Sequence, residues 1–256
     1  SHYGINIEVL EFDIHAPAST EKYIEGPLNT KISGFVLAPV GRSGQNLLAW
    51  ASSLNIPVVL FNSMAPEAKP LSFCGQDLFQ SGRLAASLLE SQPKTAGSAL
   101  VLHLDEDLDF ASHVVLKEKG FCEKASALGM SFQIHSLQSS GFKFSEQLTA
   151  LLSDPTINSV FITNSKGTSL VSSYVKKLGR RNLRIVGYDL LKENVQAIRE
   201  GWLTYVIHQN PRRIAATALN SLLNYVLLKK EIPAQQLFPL DIVTSENLES
   251  YLDFER

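Results

Sequence analysis

The chain contains 256 residues, of which 45% are apolar and 19% charged, and its formal net charge is −2. This length suits two lobes of ordinary size better than one core. The 23 basic residues face 25 acidic ones and are scattered, which excludes the strong basic patch typical of a DNA-binding domain. No apolar run approaches the roughly 20 residues that cross a bilayer, so no membrane partner is expected.

Strand and helix patterns alternate along the chain. Short apolar runs predict strands at Ile5–Phe12, Gly34–Val40, Pro57–Asn62, Leu71–Gly75, Ala99–Leu104, Ser131–Leu137, Ser159–Thr163, Arg184–Tyr188 and Thr204–His208. Apolar stripes and helix-ending glycines predict helices at Gln45–Leu54, Gln80–Glu90, Phe110–Leu128, Lys143–Ser153, Gly167–Leu178, Leu191–Glu200 and Pro211–Lys230. Continuous apolar runs are typical of strands buried on both faces. The alternation therefore predicts an α/β fold with doubly wound parallel sheets.

Polar side chains stand at the ends of several predicted strands. Asn62, Asn164, Asp189 and Gln209 are the main examples, and an acidic run begins at Asp105. In open parallel sheets, ligands bind beyond the carboxyl ends of the strands. Amides and carboxylates together suit a ligand dense in hydroxyl groups. The alternative is that each residue only caps the following helix, as Asn, Asp and Ser commonly do.

Motifs for catalysis, metal binding or cofactor binding do not emerge. The sequence has no G-x-S-x-G elbow, no phosphate-binding glycine loop and no histidine or cysteine spacing typical of metal ligands. The acidic run at 105–109 could bind a cation, but it lacks the glycine and glutamate of an EF-hand, which favours a solvated loop. We therefore expect no enzyme, no cofactor and no metal. Cys74 and Cys122 are predicted to be reduced and buried, which suits the cytoplasm.

An ordered set of motifs resembles one family. The motifs are GQDLFQSGR at 75–83, FITNS at 161–165, RIVGYDLLKEN at 184–194, VIHQNPR at 206–212 and PLDIVTSENL at 239–248. Over nearly the whole chain they are similar to the effector-binding domain of the lac-repressor (LacI/GalR) family and to periplasmic sugar-binding proteins. The resemblance implies a type I periplasmic-binding-protein-like fold, with two lobes joined by three crossovers near Leu104, Gln209 and Gln236. The lobes would be 1–104 plus 210–235 and 105–209 plus 236–256.

The resemblance also implies the ligand contacts. Asn62 matches a first-lobe contact, and Asn164, Asp189 and Gln209 match contacts in the second lobe and hinge. Lys117 stands where the family usually has arginine, and it offers a point donor in place of a planar fork. Phe110 opens a helix of the second lobe, so we predict that it forms an aromatic wall for the ligand. The family's first strand and helix are expected to be missing, because residues 3–9 match its second strand.

The function implied is that of a cytoplasmic transcription regulator's sensing domain, which binds a small polar ligand, a sugar or sugar derivative, without transforming it. Ligand binding would alter lobe closure and so the DNA affinity of an upstream headpiece outside this chain. A homodimer is expected, and the apolar Leu47, Leu48 and Trp50 of the predicted helix at 45–53 could contribute to its interface. The alternative is a periplasmic sugar-binding protein of a transporter or sensor. The ligand's identity and the direction of its effect on DNA binding stay open.

Overall fold

The computed structural model describes residues 6–13, 16–24, 32–65, 69–90, 97–107 and 111–254, and the chain divides into two compact units. The first unit comprises Ser1–Cys74 and Ala215–Gln236, and the second comprises Gly75–Ile214 and Leu237–Arg256. The chain therefore passes between the units three times, as the family resemblance implies. The first passage follows Cys74, well before the position expected near Leu104, and the second follows Ile214 instead of Gln209.

The described residues form alternating strands and helices. The strands are β1 (Phe35–Leu37), β2 (Val58–Phe61), β3 (Ser72–Gly75), β4 (Ser98–Leu104), β5 (Ser131–Leu137), β6 (Ile157–Ile162), β7 (Arg184–Tyr188), β8 (Tyr205–His208), β9 (Gln235–Leu237) and β10 (Asp241–Val243). After a 3-10 helix at Pro17–Thr20, the helices are α1 (Glu21–Ile24), α2 (Gly41–Ser53), α3 (Leu78–Leu89), α4 (Ser112–Ala127), α5 (Phe144–Ser153), α6 (Ser165–Leu178), α7 (Lys192–Arg199), α8 (Pro211–Leu228) and α9 (Leu248–Phe254). Of the strand predicted at Ile5–Phe12, the described residues 6–12 form no strand.

The first unit is built on a four-stranded sheet in the order β1-β2-β3-β9, in which β1, β2 and β3 are parallel. Leu47 and Leu48 of α2 are buried against this sheet, and Trp50 makes an edge-to-face contact with Phe35 at 5.7 Å between ring centroids. The large apolar residues of α2 thus pack within their own unit. Their number therefore gives no support to the predicted role of this helix in a dimer interface.

The second unit is built on a six-stranded sheet in the order β10-β8-β7-β6-β4-β5. All neighbouring strands are parallel except β10, which is antiparallel to β8. The segment 75–104 belongs here because β4 pairs with both β5 and β6. In addition, α3 and α4 approach so closely that a Cβ on Gly82 would overlap the carbonyl oxygen of Lys117, and one on Gly120 would overlap that of Phe79.

The six-stranded sheet is covered on both faces. Alternate residues of the strands face opposite ways, so Leu100 and Leu102 pack with α5, α6 and α7, whereas Ala99 and Val101 pack with α3 and α4. The strand order reverses at β4, since the chain goes to β5 on one side and then to β6 on the other. Such a reversal opens a crevice at the carboxyl ends of the two strands beside it, here β4 and β6.

Two further features bear on the sequence predictions. Both cysteines carry free thiols, with Cys74 buried and Cys122 half-buried. Among the helices in the described part of the chain, none combines the length and the apolar character that crossing a membrane requires.

Candidate functional site

The carboxyl edge of the six-stranded sheet collects the polar residues of the second unit. Glu106 follows β4, Asn164 follows β6, Asp189 follows β7 and Gln209 follows β8. Lys117 extends from α4 and reaches the end of β6 through Thr163. Four of the six residues predicted as ligand contacts therefore lie at one edge, because the carboxyl ends of parallel strands share an edge.

Lys117 is buried to an unusual degree for a lysine, with 2% of the residue exposed. Its ammonium donates a hydrogen bond of 3.0 Å to the carbonyl oxygen of Thr163 and lies 3.5 Å from the ring centroid of Tyr188. The Tyr188 hydroxyl is in turn hydrogen-bonded to Ser81 Oγ at 2.7 Å. Burial lowers the pKa of Lys117 to about 8, although the charges of Asp189 and Glu106 act in the opposite direction. The ammonium is thus held between a carbonyl and an aromatic face.

Asn164 caps a helix and also ties two strand ends together. Its Oδ1 accepts a hydrogen bond of 2.6 Å from the Gly167 amide, as an N-cap side chain does. Its Nδ2 donates to the Leu104 carbonyl and to Glu106 Oε1, both at 2.7 Å. The capping alternative from the sequence therefore holds for Asn164, and the same side chain fixes the loop after β4 against the end of β6.

Asp189 and Gln209 form a mutual pair at the ends of β7 and β8. The Gln209 backbone amide donates to Asp189 Oδ1 at 2.9 Å, and Gln209 Nε2 donates to Oδ2 at 2.7 Å. Asp189 has a left-handed backbone, with φ of 60°. Asn194, which is fully buried, steadies this turn by donating from Nδ2 to the carbonyls of Tyr188 at 3.1 Å and Asp189 at 3.0 Å. The carboxylate is thereby oriented at the sheet edge.

Sequence reasoning missed two residues at this edge. Glu106 Oε1 accepts the Asn164 hydrogen bond and lies 3.7 Å from His113 Nε2. Burial acts to raise the pKa of Glu106, but hydrogen bonds and charges from His113, Asn164 and Lys117 outweigh it, so the pKa is lowered. The acidic run after β4 was a signal for Glu106. Asn194 lies only five and six residues after Asp189 and Tyr188, whose carbonyls it contacts, and no pattern in the sequence singled it out for this role.

The remaining predicted residues stand apart from this edge. Asn62 belongs to the first unit, where its backbone is left-handed with φ of 62°. Its backbone amide donates a hydrogen bond to the Cys74 carbonyl at 2.9 Å. Its contact with a ligand stays a prediction. Phe110 lies outside the described residues. Asp105, considered as part of a cation site, accepts hydrogen bonds from the backbone amide and hydroxyl of Ser139 at 2.6 and 2.7 Å. Over the residues that the structure describes, no group of three acidic, histidine or cysteine side chains is arranged to hold a metal.

The edge is richer in acceptors than in donors. Asp189 and Glu106 are carboxylates, and Gln209 Oε1 is an amide oxygen. Both Nδ2 hydrogens of Asn164 and one of the two Nε2 hydrogens of Gln209 are already engaged. Hydroxyl groups donate as well as accept, so a polyhydroxylated molecule can satisfy such oxygens. The arrangement is thus suited to holding a small polar ligand by hydrogen bonds.

Comparison with known proteins gives a consistent result. A family model described as a periplasmic binding protein domain matches residues 4–231. The ribose import binding protein RbsB of Escherichia coli (strain K12) is 22% identical over 201 residues, which cover 77% of this chain. That match spans 65% of the length of the curated relative, just under two thirds of it.

Two solved structures show the same fold. A protein from Bacteroides fragilis assigned as a LacI transcriptional regulator has a TM-score of 0.89 and 21% identity, over 98% of this chain and 88% of that chain. A carbohydrate transporter solute binding protein from Agrobacterium radiobacter, in complex with D-arabinose, has a TM-score of 0.79 and 17% identity, over 94% of this chain and 84% of that chain.

Proposed function

Because this chain belongs to the periplasmic binding protein domain family, we propose that it binds a small polyhydroxylated ligand, a sugar or sugar derivative, without transforming it. The observation that carries the proposal is the gathering of Lys117, Asn164, Asp189 and Gln209 at the carboxyl edge of the six-stranded sheet. This edge includes the reversal of strand order, where ligands bind in α/β proteins. The arabinose-bound relative from Agrobacterium radiobacter supports the same ligand class.

The wider role that we propose is sensing for a transcription regulator. The likeness to the Bacteroides fragilis protein supports this role, since it extends over almost the whole chain. In this proposal the protein acts in the cytoplasm as a homodimer, and ligand binding changes the DNA affinity of a separate domain. The second candidate is a periplasmic binding protein that delivers a sugar to a transporter or sensor, and the relation to RbsB favours it.

Ligand binding is testable by calorimetry with a panel of pentoses and hexoses. We expect at least one neutral sugar to bind the wild-type chain. Asp189→Ala is expected to weaken that binding by roughly 1.5–3 kcal/mol, the scale of a lost hydrogen bond to a charged group. The change also removes the two carboxylate oxygens that accept hydrogen bonds from Gln209, so the Gln209 side chain is held less firmly.

A matched control is Asp154→Ala. Asp154 precedes β6, at the opposite end of the same sheet, and its carboxylate bonds only to Thr156 in the described part of the chain. This variant should bind the sugar as the wild type does. Unchanged affinity in a folded Asp189→Ala protein would remove Asp189 from the site, and a wild type that binds no sugar or sugar derivative would refute the proposed function.

A further inference from the structure

Glu106 has one carboxylate oxygen bound and the other open. Oε1 accepts from Asn164 Nδ2 at 2.7 Å and lies 3.7 Å from His113 Nε2. Within the described residues Oε2 accepts no hydrogen bond, and the side chain is 12% exposed. A carboxylate fixed at one oxygen by an amide presents the other in a defined direction. Glu106 is therefore placed to receive a donor from outside the protein.

Its position in the sheet strengthens this view. Glu106 follows β4 and Asn164 follows β6, so their hydrogen bond spans the two strands at which the strand order reverses. A crevice between the carboxyl ends of such strands is the usual ligand position in this class of sheet. Gln209, which is 8% exposed, likewise keeps its Oε1 without a donor in the part of the chain that the structure describes. Two well-buried side chains at one edge thus leave acceptor oxygens unfilled.

The charges at this edge do not balance. Glu106 and Asp189 are close enough to Lys117 to act on its charge, so two carboxylates share one ammonium. That ammonium is directed at the Thr163 carbonyl and the Tyr188 ring. Among the described residues, the other ionisable partners of these carboxylates are His113, 3.7 Å from Glu106, and His208, 3.7 Å from Asp189. A carboxylate removed from water needs a charged or donor partner, and a ligand that covers this edge must supply one.

We propose that Glu106 is a ligand-binding residue that selects a charged donor, and that the preferred ligand is a polyol bearing an amino group, such as an amino sugar. This inference rests on the proposed function, since it requires a polyol at this edge. An ammonium group donates a charge-assisted hydrogen bond to Oε2, which a neutral hydroxyl cannot match. It also offsets the second carboxylate, so that the covered edge carries no unbalanced negative charge.

The test is calorimetry at pH 7 with amino sugars and their parents. The panel contains the 2-amino-2-deoxy and 6-amino-6-deoxy derivatives of glucose, galactose and allose, together with 3-amino-3-deoxyribose, each paired with its parent sugar. The wild type is expected to bind at least one amino sugar about 10- to 100-fold more tightly than the parent, the range for a hydrogen bond to a charged group. Glu106→Gln keeps the shape and the acceptor for Asn164 but removes the charge. It should abolish most of that preference, because the affinity for the amino sugar falls much further than the affinity for the parent sugar.

Two further variants make the result specific. Glu106→Asp keeps the charge and should retain part of the preference for the amino sugar. This variant also provides the test if the glutamine variant does not fold. Glu123→Gln removes an exposed carboxylate that pairs with Arg83 on the outer side of α4, and it should behave as the wild type.

The outcomes separate this inference from the proposed function. Tight binding of a parent sugar without preference for its amino derivative overturns the inference alone. The inference is also overturned if Glu106→Gln weakens the binding of the amino sugar and of the parent sugar equally. That result would make Glu106 an acceptor for a hydroxyl group. Binding of neither series by the wild type overturns the proposed function and this inference together.

Discussion

Lys117 illustrates how burial alters a single ionisable residue. Its ammonium has been taken out of water, and burial lowers its pKa from the ordinary 10.5 to about 8. Between these two values the unfolded chain keeps a proton that the folded protein has released. The folded state binds fewer protons there, so stability rises with pH through this window. Below pH 8 both states are protonated, and the folded protein bears the full cost of the buried charge.

The residue-scale prediction follows from that linkage. Lys117→Met keeps an unbranched apolar side chain and removes the ammonium. From pH 7 to pH 10, the wild type should gain on the order of 2 kcal/mol in the free energy of unfolding relative to this variant. Urea unfolding at several pH values measures it, and the variant cancels the contributions of the other groups, including Tyr188, whose pKa is raised by burial. Parallel pH profiles for the two proteins would contradict the assignment of a buried, titrating ammonium.

At the scale of elements, the packing of α3 on α4 positions Lys117. Gly82 faces the carbonyl oxygen of Lys117, and Gly120 faces that of Phe79, with no space for a Cβ at either contact. The two helices therefore approach as closely as their backbones allow. Because Lys117 lies on the contacting turn of α4, any separation of the helices displaces its side chain from Thr163 and Tyr188.

Gly82→Ala tests this packing. We expect it to destabilise the protein by about 1–3 kcal/mol, the usual cost of adding a methyl group to a filled core, and to weaken sugar binding as α4 moves. Ser87→Ala, at an exposed position of the same helix, should change stability by no more than about 0.5 kcal/mol. Denaturant unfolding of both variants is the measurement. A Gly82→Ala protein as stable as the Ser87→Ala control would show that the helices can separate at little cost.

At the scale of the whole molecule, the charges argue against DNA binding by this chain alone. The densest basic cluster of the sequence lies at the end of α6 and just beyond it, and its members are engaged within the second unit. Lys176 pairs with Glu200 at 2.6 Å, Arg180 donates to the carbonyls of Leu152, Asp154 and Ile157, and Arg181 stacks on Trp202. Because these side chains already bind partners within the protein, they are poorly placed to bind DNA phosphates.

Gel-shift titrations at low salt check this expectation and the proposed regulatory role. The chain alone, with or without sugar, should give no sequence-specific shift, because affinity for DNA needs free lysines and arginines. Under the proposed role, a native protein that joins this chain to a DNA-binding domain should shift its operator to a degree that depends on the ligand. Specific binding by the chain alone would refute the proposed division of labour. A native protein without DNA affinity, both with and without the ligand, would favour the periplasmic candidate.

The sequence by itself determined the class of fold, because that class depends on local patterns. Continuous apolar runs predicted β2 to β4 and β6 to β8 closely, since a strand buried on both faces needs apolar residues throughout. The edge strand β5 is more polar and partly exposed. Gly129, Gly179 and Gly201 predicted helix ends, and all three have the left-handed backbone that favours glycine. The local pattern was misleading in two places. The strand β9 was not predicted, because it is short and begins with two glutamines. A strand was predicted over the alternating residues 6–12, but they find no pairing partner among the described residues.

Only the tertiary structure decided which unit each element joins and which polar residues meet. The run that forms β4 is apolar enough for either sheet, and its pairing with β5 and β6 brings it into the second unit. At the strand ends, the sequence supplied Asn164 and Asp189, but not the bonds from Asn164 to Glu106 and from Gln209 to Asp189. These pairs join residues far apart in the chain. Their geometry depends on strand order and helix packing, which no local pattern specifies.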